Sequence, residues 1–160
     1  VKITVERIEA PKDCNTVLGQ THFIKSVEDL YEALKESSPS LEFGLAFNES
    51  SGECLVRCEG THEDLKKAAA ENALRVGAGH FFVIFLRRGF PVSVLNRIKN
   101  VSEVCSVYCA SANPIQVVLA EAEQGRGVLG VIDGSRPKGV EDEAGVKWRK
   151  DLLRKIGYKL

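Results

Sequence analysis

The sequence has no excess charge of either sign: 22 Lys and Arg stand against 22 Asp and Glu. A protein that works by blanketing phosphate backbones needs a net basic face, so nucleic acid is not an expected partner. No run approaches the ~18 consecutive apolar residues of a membrane span. The opening stretch VKITVERIEAPKD lacks the apolar segment of an export signal and alternates as a strand does. These absences lead to the expectation of a cytoplasmic protein with no membrane partner. Internal repeats, low-complexity tracts and an interdomain linker are also missing. With 160 residues, 44% of them apolar, the chain is expected to form one domain over 1–160 around its own core.

Disulfides are not expected either, since the five cysteines are odd in number and reduced thiols suit an intracellular chain. Cys54-Leu-Val-Arg-Cys58 and Cys105-Ser-Val-Tyr-Cys109 repeat one spacing, and both read as strands. On a strand, positions i and i+4 share a face but lie ~13 Å apart, so neither pair can chelate one ion. A small-residue core layer is the simpler account, and no metal site is assigned.

The pattern of the remaining residues predicts alternating strands and helices. Lys2 to Ile8 reads as a strand, and PKDCNTVLGQTHFIK as a loop leading to a helix capped by Ser26 over Val27 to about Glu36. Leu41–Asn48 and Cys54–Glu59 read as a hairpin around Glu49-Ser-Ser-Gly52. A second helix, capped by Thr61, runs to Arg75 or Val76 and leaves through Gly77-Ala-Gly79. His80 to Leu86 is apolar on both faces after its first residue, as a central strand covered on both sides would be. Pro91 opens a short helix through Val94, Leu95 and Ile98. Val104–Ala110 and Ile115–Ala122 are strands around Ser111-Ala-Asn113-Pro114. In the tail from Val146, Trp148, Leu152 and Ile156 fall at helical spacing, a stripe expected to pack on the sheet while the basic residues face water. The fold class expected is α/β: a single-domain α/β/α sandwich around a mixed sheet.

EQGRGVLGVIDG, Glu123 to Gly134, contains Gly125-x-Gly127-x-x-Gly130. A dinucleotide fingerprint needs its third glycine at a helix start, whereas Val128–Ile132 continues as β-like sequence. No lysine followed by Ser or Thr closes the glycine run, so it is not a triphosphate-binding loop. What remains is a glycine-rich turn between strands, with Arg126 as a fork of donors. Two histidines stand out as nucleophiles. His80 begins the most apolar strand just after three small residues, and His22 lies in a loop close to Lys25. A neutral imidazole keeps a lone pair available for attack on phosphorus without a separate base. The alternative for His80 is a satisfied structural residue.

GQTHFIKSVEDLYEAL, GAGHFFVIFL, FPVSVLN, SANP and EQGRGVLGVIDG, in that order, resemble the small prokaryotic adenosine-specific kinases, common in archaea, over about Val5 to Tyr158. The resemblance implies a compact α/β sandwich, binding of adenosine and AMP, and a histidine that carries a stable phosphoryl group. His80 and His22 are then the candidate catalytic residues. Gly125, Arg126 and Gly127 are candidates for the phosphate or ribose, Asp133 for a hydroxyl or a histidine nitrogen, and Asn113 for an adenine edge. A kinase would transfer the group from a donor to the 5′-hydroxyl, with magnesium left open and Glu121, Glu123 and Asp133 as the available acids. The alternative is a nucleotide sensor in which phosphohistidine is a regulatory mark. A homo-oligomer is expected, because sheet edges must be covered.

Overall fold

The computed structural model describes all 160 residues. Phe81–Leu86 are all buried, and their strand β5 (Phe81–Arg87) occupies the middle of a five-stranded sheet. Its neighbours are β3 (Glu42–Asn48) and β2 (Asn15–Thr21), flanked by β4 (Val56–Gly60) and β6 (Val104–Ser111), in the order β4-β3-β5-β2-β6. Every pairing in it is antiparallel. A second antiparallel sheet, β1-β7-β8, joins β1 (Lys2–Ile8), β7 (Ile115–Glu121) and β8 (Arg126–Asp133). The chain is thus a single-domain α/β fold whose strands divide between two antiparallel sheets.

Alternation along β5 requires a cover on each face. Phe81, Val83 and Phe85 point to one core, closed by α2 (Glu63–Val76) through Ala69, Ala73 and Val76 and by the second sheet through Val117 and Leu119. Phe82, Ile84 and Leu86 point to the other, closed by α1 (Ser26–Ser37) through Leu30 and Leu34 and by α3 (Leu95–Lys99) through Ile98. Each of the buried Val, Leu, Ile and Phe side chains contributes roughly 1.5–3 kcal/mol relative to exposure.

Five local expectations are corrected. The segment read as a loop holds β2, which lies between β5 and β6; its polar Asn15, Thr16, Gly19 and Gln20 masked a strand whose Val17 and Leu18 reach the two opposite cores. Ser26 lies inside α1 instead of capping it; its hydroxyl donates to the Phe23 carbonyl at 2.5 Å, and the capping position is Lys25. Thr61 does not cap α2 either. It bonds the backbone of Phe43, and His62 takes the cap position. After Pro91 comes one 3-10 turn, Pro91–Ser93, and then the short α3. Cys54 lies outside β4 with φ 51°, so the two cysteine pairs are not equivalent strand positions.

Helix α4 (Glu143–Lys155) departs furthest from expectation. Its stripe does not pack on a sheet: no residue of it is buried, and Trp148 is 67% exposed. No helix is long and apolar enough to cross a membrane.

Gly44 sets how closely α2 approaches β3. A Cβ there would overlap the Leu65 backbone of α2, whereas at Gly130 it would meet nothing within 4 Å. Gly44→Ala is expected to lower stability by about 1–3 kcal/mol, and Gly130→Ala to change it by less than about 0.5 kcal/mol. Urea denaturation of the two variants beside the parent checks both.

Candidate functional site

The largest concavity lies where β5 begins and α2 ends, with a volume of about 830 Å³. Helix α2 stops at Gly77, whose left-handed conformation (φ 63°) lets its N–H close on the Ala73 carbonyl. Ala78 and Gly79 then pass along the cavity wall before β5 starts. Opposite them stands the β7–β8 hairpin, whose Gly125, Arg126 and Gly127 line the same space. The glycine-rich stretch read from the sequence is therefore a cavity wall.

Its glycines supply room more than donors. The Gly125 N–H already donates to the Ala122 carbonyl at 3.2 Å, closing the hairpin. A side chain at Gly125 or Gly127 would meet nothing within 4 Å, so a ligand has open backbone to lie against. Arg126 has a structural engagement that the sequence did not reveal. Its Nη1 donates to the carbonyls of Arg75 (3.1 Å) and Val76 (3.3 Å) at the end of α2. Glu6 at 3.7 Å and Glu121 at 3.4 Å share its charge. Arg126 thus joins the second sheet to the helix that frames the cavity.

Three polar side chains on the floor went unrecognised in the sequence. Gln20, Asn48 and Tyr108 all line the cavity. Tyr108 donates its hydroxyl proton to Gln20 Oε1 at 2.7 Å, and burial pushes its phenol pKa up. Asn48 donates from Nδ2 to the carbonyls of Ala73 (2.8 Å) and Ala78 (2.9 Å), while its Oδ1 has no hydrogen-bond partner. The only signal for these residues was a polar side chain interrupting a strand, and one of those strands had been read as a loop.

The histidines lie elsewhere. Phe47 belongs to the core beneath α1, whereas the neighbouring Asn48 turns its amide to α2, so the two mark opposite faces of the sheet. The His80 ring lies parallel to Phe47, with ring centres 5.6 Å apart, and so faces α1 rather than the cavity. His80 has φ 57°, a strained conformation for a side chain of this kind, held by bonds from its N–H to Asn48 O (2.9 Å) and from Thr21 N–H to its carbonyl (3.0 Å). Its ring nitrogens make no hydrogen bond within the chain. His22 is exposed, with Nε2 3.3 Å from the Ser102 carbonyl. A carbonyl there requires the proton on Nε2 and leaves the Nδ1 lone pair free.

Asn113 and Asp133 also lie apart from the cavity. Asp133 Oδ1 accepts from Ser111 Oγ (2.5 Å) and Asn113 Nδ2 (3.2 Å). Asp133 ends β8, whereas Arg126 begins it, so this knot of hydrogen bonds sits at the opposite end of the hairpin. Asp133 and Glu121 accordingly do not converge on one point.

The family described as adenosine specific kinase matches residues 6–159. The chain belongs to the adenosine-specific kinase family. Its fold is similar to the crystal structure of the PH1918 protein from Pyrococcus horikoshii OT3, which is 43% identical. That likeness covers 99% of this chain and 98% of the other, with a TM-score of 0.95. No curated protein matches this family member.

One more group of residues bears on this family member's α1 face. Glu103, 2% exposed, has Oε1 3.2 Å from Ser26 Oγ; its Oε2 has no hydrogen-bond partner and lies 3.8 Å from Lys25 Nζ. Burial and the adjacent Asp29 hold the Glu103 carboxyl above the usual range, while Glu103 and Lys25 hold Asp29 below it. Of the two carboxyls, Glu103 is the one that holds its proton to higher pH. Because the folded state keeps that proton at a pH where the unfolded chain has released it, this group's contribution to stability falls as pH rises from the ordinary glutamate range through the raised pKa. Glu103→Gln, which keeps a donor toward Asp29, is expected to remove that fall and to be at least as stable as the parent at about pH 8. Urea denaturation across a pH series reads this.

Proposed function

We propose that the chain binds adenosine and AMP in the cavity between α2 and the β7–β8 hairpin. The observation that carries this reading is the single space of about 830 Å³ bounded by the Gly125–Gly127 wall and floored by Gln20, Asn48 and Tyr108. Its size falls within the roughly 300–1,000 Å³ of small-molecule sites. Carboxamides both donate and accept, as the edge of adenine requires, and the unpaired Asn48 Oδ1 suits an exocyclic amino group. Arg126, whose Nη1 is committed to α2 and whose Nη2 lies 3.4 Å from Glu121, keeps Nε for a phosphate, and membership of the adenosine-specific kinase family supplies the ligand class.

A phosphate held by Arg126 distinguishes AMP from adenosine. Arg126→Ala is expected to weaken AMP by roughly 10–100-fold, the worth of a charge-assisted hydrogen bond, and adenosine by much less. Isothermal titration with both ligands measures this. Unchanged AMP affinity would remove Arg126 from the site.

Phosphoryl transfer through histidine is a second reading, favoured by the strained backbone and unpaired ring nitrogens of His80. The neutral imidazole nitrogen attacks the donor's phosphorus, an N–P bond forms, and the donor's leaving oxygen departs with its electron pair. The 5′-hydroxyl then attacks phosphorus, the N–P bond breaks, and the hydroxyl proton passes to a base. Since His80 and His22 both sit toward α1, this chemistry calls for a nucleoside whose 5′ end comes round the end of the sheet. Purified protein incubated with adenosine and phosphoryl donors is expected to form AMP over many turnovers, and His80→Asn to abolish it. Stoichiometric labelling of one histidine without turnover would leave a binding module in which phosphohistidine is a regulatory mark.

A further inference from the structure

Strand β6 bulges beside the cavity. Opposite β2, Leu18 pairs with Cys109 and Gly19 with Val107, which leaves Tyr108 as an extra residue without a partner. Strict alternation would turn neighbouring side chains to opposite faces. Instead Tyr108 and Cys109 both pack against the core under α2, while Val107 and Ala110 pack against the core under α1. A bulge re-aims a side chain in this way, and here it brings the phenol to the cavity floor.

The partner of that phenol is Gln20. Two positions beyond Leu18 on β2, Gln20 shares its face, and its Oε1 accepts the Tyr108 hydroxyl proton at 2.7 Å. A side-chain amide has one accepting end and one donating end. With Oε1 engaged, Nε2 is turned from Tyr108; it makes no hydrogen bond within the chain and, unlike Asn48 Oδ1, is open to solvent. The reversed amide would leave the proton of the half-buried phenol without an acceptor.

Asn48 is the complement on the same floor. Its Nδ2 donates to the Ala73 and Ala78 carbonyls, so the amide cannot turn over, and this 7%-exposed side chain holds out an unpaired acceptor. A buried acceptor without a partner is destabilising until something donates to it. Two amides of fixed and opposite polarity therefore line one space, a donor on Gln20 and an acceptor on Asn48.

We propose that Tyr108 is a positioning residue for base recognition: by holding Gln20 Oε1 it aims Nε2 at a ring nitrogen of the purine, while Asn48 Oδ1 accepts from the neighbouring amino group. This role rests on the binding of a nucleoside in the cavity. N1 and N7 of adenine both accept, and each flanks the amino group, so either edge of the base satisfies the pair. A free Gln20 would present oxygen to that ring nitrogen as readily as nitrogen, and two acceptors repel. Tyr108 removes that freedom.

Isothermal titration of the parent, Gln20→Ala and Tyr108→Phe with adenosine, 1-deazaadenosine and 7-deazaadenosine tests the role. Gln20→Ala should weaken adenosine by roughly 3–10-fold, the worth of one neutral hydrogen bond, and leave unchanged the analogue that lacks the nitrogen Gln20 addresses, which also identifies the edge. Tyr108→Phe, with Gln20 present but free to turn over, should repeat this pattern by a smaller factor. It removes a single oxygen and keeps the packed ring, so it answers even where Gln20→Ala perturbs the fold. A merely structural role for either residue would weaken every ligand alike. Equal effects on the three ligands, or none, overturn the positioning role while adenosine binding stands; a parent that binds no adenosine overturns the nucleoside reading itself.

Discussion

Six apolar residues in succession, Phe81 to Leu86, cannot leave either face of their strand in water. That constraint organises the molecule. It requires two cores, and the chain builds them from different materials: helices α1 and α3 on one face, α2 with a second sheet on the other. A helix and a sheet meeting on one face cannot close perfectly where both end. The cavity lies at that junction, bounded by the left-handed exit of α2 and the hairpin of the second sheet.

Arg126 holds this junction together. By donating to the last carbonyls of α2 while Glu6 and Glu121 flank it, it fixes the distance between helix and hairpin and so the width of the cavity. The same residue lines the space it frames. A ligand there meets donors positioned by the fold instead of a loop that must first be ordered. The β5 backbone divides the chemistry in two, with carboxamides and a phenol on the cavity side and the imidazoles on the side of α1.

Much of this was legible from residue pattern. The all-apolar run of β5, the α2 stripe ending at Gly77, and the absence of a nucleotide fingerprint at Gly125–Gly130 all follow from periodicity and turn chemistry, although the turn is shorter than read and Gly127 already belongs to β8. Strand β2 escaped because NTVLGQT alternates between two buried faces, and its polar residues mimic a loop. With β2 unread, Gln20 could not be placed on the cavity floor, nor Thr21 beside the His80 carbonyl. Arg126 was recognised as a cation but not as a tie to α2, because its partners are main-chain carbonyls some 50 positions away. Asn113 offers an amide for an adenine edge and Asp133 closes the glycine stretch, yet a strand's length separates both from Arg126 at the other end of the hairpin. The stripe on α4 is apolar as expected but no residue of the helix is buried, since periodicity shows an apolar face without showing where it packs.

The central claim is that the nucleoside belongs between α2 and the β7–β8 hairpin, and a crystal structure of the protein grown with AMP tests it most directly. The account predicts purine density over Gln20, Asn48 and Tyr108 with the phosphate within hydrogen-bonding distance of Arg126. Density for the whole nucleotide on the α1 side of the sheet, beside His22 and His80, would contradict it.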